Sequence, residues 1–539
     1  MLELTEKSIN NKENWKFAGI KLPEFDYLQM AEKTKENPIW IHFGAGNIFR
    51  GFIAQLQQQL LNKGLSEYGI IATDTFDYDI IDKIYKPYDN LTMLVSLFAD
   101  GQMKKEVIGS IAEALKADFD ATDQVKRLKE IFKNPSLQMV SFTITEKGYA
   151  LNDARGDILE LVTTDFINGP DKPRHAMSII TALVYERYLE GELPIALVSM
   201  DNCSHNGEKL QAAILKIANE WINNGFVNKD FLSYLNNESK VSFPWSMIDK
   251  ITPRPSEVVK DQLEQIGLGG MAPIVTSRNT FIAPFVNAEV PQYLVIEDKF
   301  PNGRPCLEKA GVYFTDRDTV NNTERMKVTT CLNPLHTALA VYGCLLGYTS
   351  IAKEMMDTDL KLLVEKIGYK EGIPVVVDPK IFSSMVFIKE VIEERLPNPF
   401  IPDAPQRIAT DTSQKMAIRF GETIKSYIER TDLNPSDLVF IPLAIAGWLR
   451  YLMGVDDNLK PMDVSSDPML EELKQILSGI EVGKQETYNN HLESILSNPV
   501  LFAVNLYEAG LANKVERYFL ELIKGKNAVR NTLKKYLYE

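Results

Sequence analysis

Ten residues in the second half of the chain, "KVTTCLNPLH", carry three side chains of complementary chemistry: Lys327, Asn333 and His336. An amine held away from water has its ammonium form destabilised and can act as a general base near neutral pH. An amide beside it can donate to the oxyanion that develops when a hydroxyl loses its proton. Asn333 and His336 are three residues apart and share a face once a helix has begun, with Lys327 ahead of that helix. A plain helix start with a solvated lysine is the competing reading.

A second group lies near the N-terminus. The stretch "WIHFGAGNIFRGFIAQLQQQLLNKG", residues 40–64, begins as a buried strand and ends as a helix, with Gly44 and Gly46 at the joint. A strand, a GxG turn and a helix present free backbone N–H groups to a pyrophosphate. Gly44, Ala45, Gly46, Asn47, Ile48, Phe49 and Arg50 are therefore the candidate cofactor turn. Phe49 stands where a dinucleotide turn has its third glycine, which implies a shifted helix or a ring directed elsewhere. Asp74 ends the next apolar run, "YGIIATD", where a carboxylate can accept hydrogen bonds from an adenosine ribose. It suits a free 2′-hydroxyl and repels a 2′-phosphate, which favours NAD over NADP. The alternative is a plain turn, with Asp74 capping a strand end.

The elements that must hold these groups differ between the halves. The first alternates β-rich runs, "WIHFGA", "YGIIATD", "LTMLVSLF", "LQMVSFTIT" and "LPIALVSM", with amphipathic stretches. This predicts a parallel sheet with helices on both faces. In "EKLQAAILKIANEWINNGF", Leu210, Ile214, Ile217 and Trp221 form one helical stripe. Past about residue 305, long apolar-periodic stretches separated by Pro, Gly and Asp-rich turns predict helix almost throughout. The expected architecture is an α/β Rossmann-type domain over residues 1–305 and a mostly α-helical domain over 306–539, divided at "EDKFPNGRPCLE".

A chain of 539 residues exceeds what one core usually serves. Its formal charge of −14 disfavours nucleic acid and anionic membrane as partners and leaves small molecules or proteins. Cys203, Cys306, Cys331 and Cys344 form no CxxC pair, so they read as reduced thiols, with no disulfide framework and no sulfur-ligated metal. The polar start of the chain and the lack of any long apolar run predict a cytoplasmic protein. Among the histidines, His42 reads as core and His175 and His491 as solvated surface, which leaves His205 and His336.

Several segments resemble one family. "GAGNIFR", "TITEKGY" (143–149), "SMDNCSHNG" (199–207), "VSFPWSMIDKITP" (241–253), "KVTTCLNPLH" and "RIATDTSQK" (407–415) are similar to motifs of the long-chain mannitol dehydrogenase family of polyol and sugar-acid oxidoreductases. That family's cofactor turn lacks the third glycine, and in its signature Ile248 and Lys250 replace the usual Val and Arg. The resemblance implies a zinc-independent, NAD-linked secondary-alcohol dehydrogenase. Lys327 would remove the hydroxyl proton as hydride passes to the nicotinamide. Asn333 and Asn202 would stabilise the alkoxide, and His336 would hold a neighbouring hydroxyl. Arg407 and Lys415 would bind substrate, and Asp249 would contact cofactor or substrate. Each has a plainer counterpart: Asn202 ending a strand, Asp249 capping a turn, and Arg407, Asp411 and Lys415 forming surface ion pairs at i, i+4, i+8.

Two departures bear on the substrate. Five residues separate Lys327 from Asn333 where the family pattern has four, and Thr410 replaces a histidine found in mannitol-specific members. The "GAGNIFRGF" turn and the chain length are most similar to members that interconvert D-fructuronate and D-mannonate with NADH, the carboxylate meeting Arg407 or Lys415. A tagaturonate reductase, a mannitol or other hexitol dehydrogenase, and a non-catalytic dinucleotide-binding sensor are the alternatives. A sugar acid or polyol is the expected partner, in a monomer or small homo-oligomer.

Overall fold

In the computed structural model, which describes residues 2–539, six apolar runs of the first half form a single parallel sheet. β1 (Trp40–Phe43), β2 (Ile70–Asp74), β3 (Ile111–Lys116), β4 (Met139–Phe142), β5 (Ile195–Ser199) and β6 (Val241–Ser242) lie in the order β3-β2-β1-β4-β5-β6. All neighbours run parallel, with Phe43 opposite both Thr73 and Phe142. This is the doubly wound Rossmann order, whose direction of winding reverses between β1 and β4.

The sequence forces this arrangement through its period of two. Ile41, Phe43, Ile71, Val140, Phe142, Ile195 and Leu197 join one apolar core. Their chain neighbours Trp40, Ile70, Ala72, Met139, Ala196 and Val198 join the other. A strand apolar on both faces is stable only with helices on both sides. α1 (Ala54–Asn62) follows β1. α2 (Asn206–Asn223) packs on the first core through Leu210, Ile214, Ile217 and Trp221, the expected stripe.

One apolar run went elsewhere. "LTMLVSLF" supplies Thr92–Leu97 to a separate four-stranded sheet, antiparallel to Met103–Ile108 and parallel to Phe285–Glu289. A short buried run shows that a strand is present but not which sheet receives it.

The chain separates into two compact units: Gln102–Asn321 with the chain up to Leu97, and Asn322–Glu539 with the hairpin tip Phe98–Gly101. Residues 306–321 thus pack with the first unit, where Tyr313–Thr315 extends a small sheet beside Tyr293–Glu297. The described residues of the second unit contain helices and no strand. Its centre is α3 (Asn333–Leu345) against α4 (Phe440–Leu452). The Tyr342 hydroxyl donates to the Leu443 carbonyl at 2.7 Å. Gly447 leaves room for that ring: a Cβ there would fall 2.6 Å from Tyr342 Cζ. No helix among the described residues is long and apolar enough to cross a membrane.

Candidate active site

At the glycine turn the two glycines exist for different reasons. Gly44 has φ +104° and lies so close to the end of β4 that a Cβ would fall 2.1 Å from the Thr143 carbonyl oxygen. Gly46 meets nothing within 4 Å, so its bare backbone faces open space at the winding reversal. Such an open backbone at the start of a helix fits a pyrophosphate.

Phe49 is accounted for twice over. Its ring stacks on His42 with centroids 4.3 Å apart and planes 9° apart. The helix also opens with a wide π-helical turn, Phe49–Ile53, before α1. Gly51 in this turn lets it approach the separate four-stranded sheet, where a Cβ would lie 2.7 Å from Val286 Cγ1. His42 is the core residue expected: its ring nitrogens reach Ser141 Oγ at 2.6 Å and Thr143 Oγ1 at 2.8 Å. Burial lowers its pKa to about 3, so the ring is neutral.

The Arg50 side chain turns away from the open face of the turn. It is fully buried and donates to the Ala283 carbonyl and to Asn47 Oδ1, both at 2.8 Å, so its side chain braces the turn from behind. Asp74 is likewise engaged by backbone. It accepts from the amides of Ala45 (3.1 Å), Phe76 (2.8 Å) and Asp77 (2.7 Å), fixing the turn to the end of β2. Burial raises its pKa against these donors. Ala45 is also held through its carbonyl, which accepts from the Tyr85 hydroxyl at 2.9 Å. Ile48 packs against the apolar core beneath. Just past Asp74 a cavity of about 410 Å³ opens, lined by Thr75, Phe76, Tyr78, Asp118, Arg174 and Arg278.

Two residues that the motif reading passed over bind three of the family-like segments together. The Asp201 carboxylate accepts from the amides of Ile144 and Thr145, both at 2.9 Å, and from the Tyr149 hydroxyl at 2.6 Å. It thereby holds "TITEKGY", with Thr145 at φ +65°, against the end of β5. The Asn206 amide donates to the Asp201 and Ser246 carbonyls at 3.0 Å and accepts from the Ser246 amide, joining "SMDNCSHNG" to "VSFPWSMID". Asn202 is exposed in this frame, and Asp249 is buried at the end of β7 (Ser246–Asp249). Lys250 donates to the Val290 carbonyl and Gln292 Oε1.

In the second unit, Lys327 is 3% exposed and begins a π-helical turn, Lys327–Cys331, directly before α3. The Leu332 amide closes this turn on the Lys327 carbonyl at 3.1 Å. A π turn is an α turn with one residue added. The lysine thus stands at the foot of the helix that Asn333 opens. Among the described residues the Asn333 amide has no protein partner. His336 Nε2 stands 3.4 Å from Asp403 Oδ2, an ion-pair distance with imperfect hydrogen-bond geometry. Burial pushes the Asp403 carboxyl up, but His336 and Arg407 outweigh it and hold it below its ordinary value.

The cations placed by sequence have other partners. Arg407 is exposed and pairs with Asp403. Lys415 donates to the Ile408 and Thr410 carbonyls. No i, i+4, i+8 ladder forms, because Asp411 at φ +53° breaks the chain between Pro405–Ile408 and Thr412–Met416. A further cation, Arg419, donates to Thr337 Oγ1. Nothing in the "RIATDTSQK" pattern marked it, and only its position one helical turn beyond Lys415 could have done so. Two histidines were misplaced: His175 is buried, its ring capping the helix Ala176–Leu189, and His491 is half-buried, accepting from the Asn489 amide at 3.1 Å.

Residues 38–309 match the family description "Mannitol dehydrogenase Rossmann domain" and residues 319–523 match "Mannitol dehydrogenase C-terminal domain". The chain belongs to the mannitol dehydrogenase family. Within that family it is similar to the D-mannonate oxidoreductase of Thermotoga maritima, 55% identical over 534 residues that cover 99% of this chain and 98% of the relative. The D-mannonate oxidoreductase of Escherichia coli is 28% identical, with 85% and 87% covered. Among mannitol dehydrogenase family structures, Pseudomonas fluorescens mannitol 2-dehydrogenase, solved as a ternary complex with NAD and D-mannitol, aligns over the whole of both chains with TM-score 0.68 and 26% identity. The fold is shared with a substrate-free D-sorbitol dehydrogenase, TM-score 0.76 at 24% identity over 96% of this chain and 98% of that one.

Proposed function

We propose that this chain is an NAD-dependent secondary-alcohol dehydrogenase that interconverts D-fructuronate and D-mannonate in sugar-acid breakdown. The observation that carries this reading is the 55% identity, end to end, with a D-mannonate oxidoreductase. The buried Lys327 beside the unengaged amide of Asn333 supports it.

The turn Gly44–Arg50 holds the pyrophosphate on backbone amides, and Asp74, fixed by the amides of Ala45, Phe76 and Asp77, places a negative charge beside the turn that disfavours a 2′-phosphate. NAD, when bound, supplies the hydride acceptor. In mannonate oxidation Lys327 takes the hydroxyl proton on Nζ; in reduction it returns that proton to the carbonyl oxygen. The Asn333 amide donates to the alkoxide as charge develops. With Nε2 of His336 turned toward Asp403, Nδ1 is left to accept from a substrate hydroxyl. Asn202 and Asp249 keep the roles that family resemblance gives them. Free thiols at all four cysteines suit work in the cytoplasm.

The test is a panel of D-fructuronate, D-tagaturonate and D-fructose with NADH and with NADPH, read as loss of nicotinamide absorbance. D-Fructuronate with NADH should give the highest kcat/KM. A higher value for D-tagaturonate or D-fructose would overturn the substrate, a preference for NADPH the assignment of Asp74, and no turnover at all the enzyme itself.

A further inference from the structure

We infer that Arg419 is the residue that binds the substrate carboxylate and so selects a sugar acid over a neutral ketose or hexitol; this rests on the reading of the chain as a sugar-acid dehydrogenase. The argument begins with the three cations of this region. Arg407 is exposed and already paired with Asp403. Lys415 spends its ammonium on two backbone carbonyls. Arg419 is half-buried and has a single protein partner among the described residues, the neutral hydroxyl of Thr337. A guanidinium removed from water without a counter-charge is costly unless something anionic meets it.

Its position is fixed from several sides. Arg419 lies in another π-helical turn, Ala417–Gly421. Gly421 seats that turn against the chain at Phe502, since a Cβ there would fall 2.1 Å from the Phe502 carbonyl oxygen. The next helix is tied to the turn that carries Lys327, because Thr423 Oγ1 donates to the Thr329 carbonyl at 3.3 Å. Thr337 is the neighbour of His336 and donates in turn to the Asn333 carbonyl at 3.0 Å. Arg419, Thr337 and Asn333 thus form a chain of contacts along one face of α3.

Four residues of helix, about 6 Å along the axis, separate Thr337 from Asn333. That span is comparable with the distance from the carbonyl carbon of a ketohexuronate to its terminal carboxylate. With Asn333 at the reacting oxygen, the carboxylate therefore falls beside Arg419. Of the five guanidinium N–H groups, the Thr337 contact engages one nitrogen, leaving an edge for bidentate recognition of a planar carboxylate. Burial and then the charge of Arg419 lower the Lys415 pKa although Asp411 and Asp467 pull the other way, and burial lowers Arg419 itself to about 10.

The experiment measures kcat/KM for D-fructuronate and for D-fructose, with NADH, in the wild type, Arg419→Gln, Arg419→Lys and Arg407→Gln. Arg419→Gln should lower the fructuronate-to-fructose ratio by about 100-fold, mainly through KM for the uronate, as expected when one member of a buried charge pair is removed. Arg419→Lys should recover part of that ratio, and Arg407→Gln should change it by less than tenfold. The inference is overturned if Arg419→Gln leaves the ratio within threefold of wild type, or if Arg407→Gln moves it more. Should Arg419→Gln fail to fold, the lysine variant decides: a ratio equal to wild type overturns the inference, and a ratio lowered by tenfold or more supports it. A wild type that reduces no uronate defeats the substrate reading instead, before any variant is made.

Discussion

The glycine turn of the first unit and the Lys327-to-His336 segment of the second treat their polar groups in opposite ways. Around the turn, side chains are engaged by the protein itself: Asp74 and Asp201 each accept three hydrogen bonds, and Arg50 is buried against a carbonyl and an amide, with only its Nε left over among the described residues. In the second segment the Asn333 amide is unengaged, Arg419 holds one neutral hydroxyl, and His336 makes only a long contact. The difference follows from the backbone. A strand-to-helix turn leaves N–H groups free, so the side chains there serve to shape it and the main chain binds. A helix interior consumes its own N–H and C=O groups, so only side chains are left to do chemistry.

The sharpest way to break this contrast is at Lys327. Lys327→Ala should lower kcat by between about 10² and 10⁴, the range of a lost general base. Lys327→Arg should do no better, because guanidinium does not give up its proton. NADH binding, read by fluorescence titration, should persist in both variants, because the glycine turn is built entirely within the other unit. Turnover by Lys327→Ala within tenfold of wild type would remove the lysine from the mechanism.

The two glycines test the turn side of the comparison. Gly44→Ala meets the Thr143 carbonyl at 2.1 Å and a left-handed φ, so it should destabilise the fold by several kcal/mol, on the order of 3. Gly46→Ala meets no protein atom and should leave the thermal midpoint nearly unchanged while weakening NADH at least tenfold. An unchanged Kd for NADH in Gly46→Ala would mean that the open backbone at this position is not where the cofactor approaches.

How much of this was legible in the sequence depended on whether a signal was local. The doubly wound sheet was readable because strands buried on both faces are continuously apolar, and the helical second half because its periodicity is long. The family followed from motifs whose residues are contiguous. The direction of the Arg50 side chain was not legible, since a cation after a GxG turn looks the same whether it faces outward or turns inward to Ala283, 233 residues away. Asp201 and Asn206 sit inside a motif that had been quoted, yet their importance lies in partners 40 to 57 residues distant. His175 has polar neighbours in sequence and a buried cap in space. The π turn Lys327–Cys331 has no local sequence signal that sets it apart from an α turn.

The smallest expected effect concerns two buried glutamates of the helical unit, one saturated by backbone amides and one without a partner among the described residues. Glu371 accepts from the amides of Val439, Phe440 and Ile441 at the start of α4, and burial raises its pKa to about 7 despite those donors. Glu354 is fully buried, with no hydrogen-bond partner on either oxygen, and burial followed by repulsion from Asp357 raises its pKa to about 9. Gly343 makes the room, since a Cβ there would fall 1.9 Å from Glu354 Oε1. Folded protein keeps the Glu354 proton that unfolded chain releases near its ordinary value of 4.5. Its contribution is therefore fully present below about pH 4.5 and declines as pH rises toward about 9, at no more than about 1.4 kcal/mol per pH unit. Glu354→Gln abolishes that titration while keeping the shape, so between pH 6 and 8 its denaturant midpoint should fall less with rising pH than that of the wild type. Parallel pH profiles for the two proteins would show that Glu354 is ionised in the folded state, with a counter-charge or water serving its oxygens.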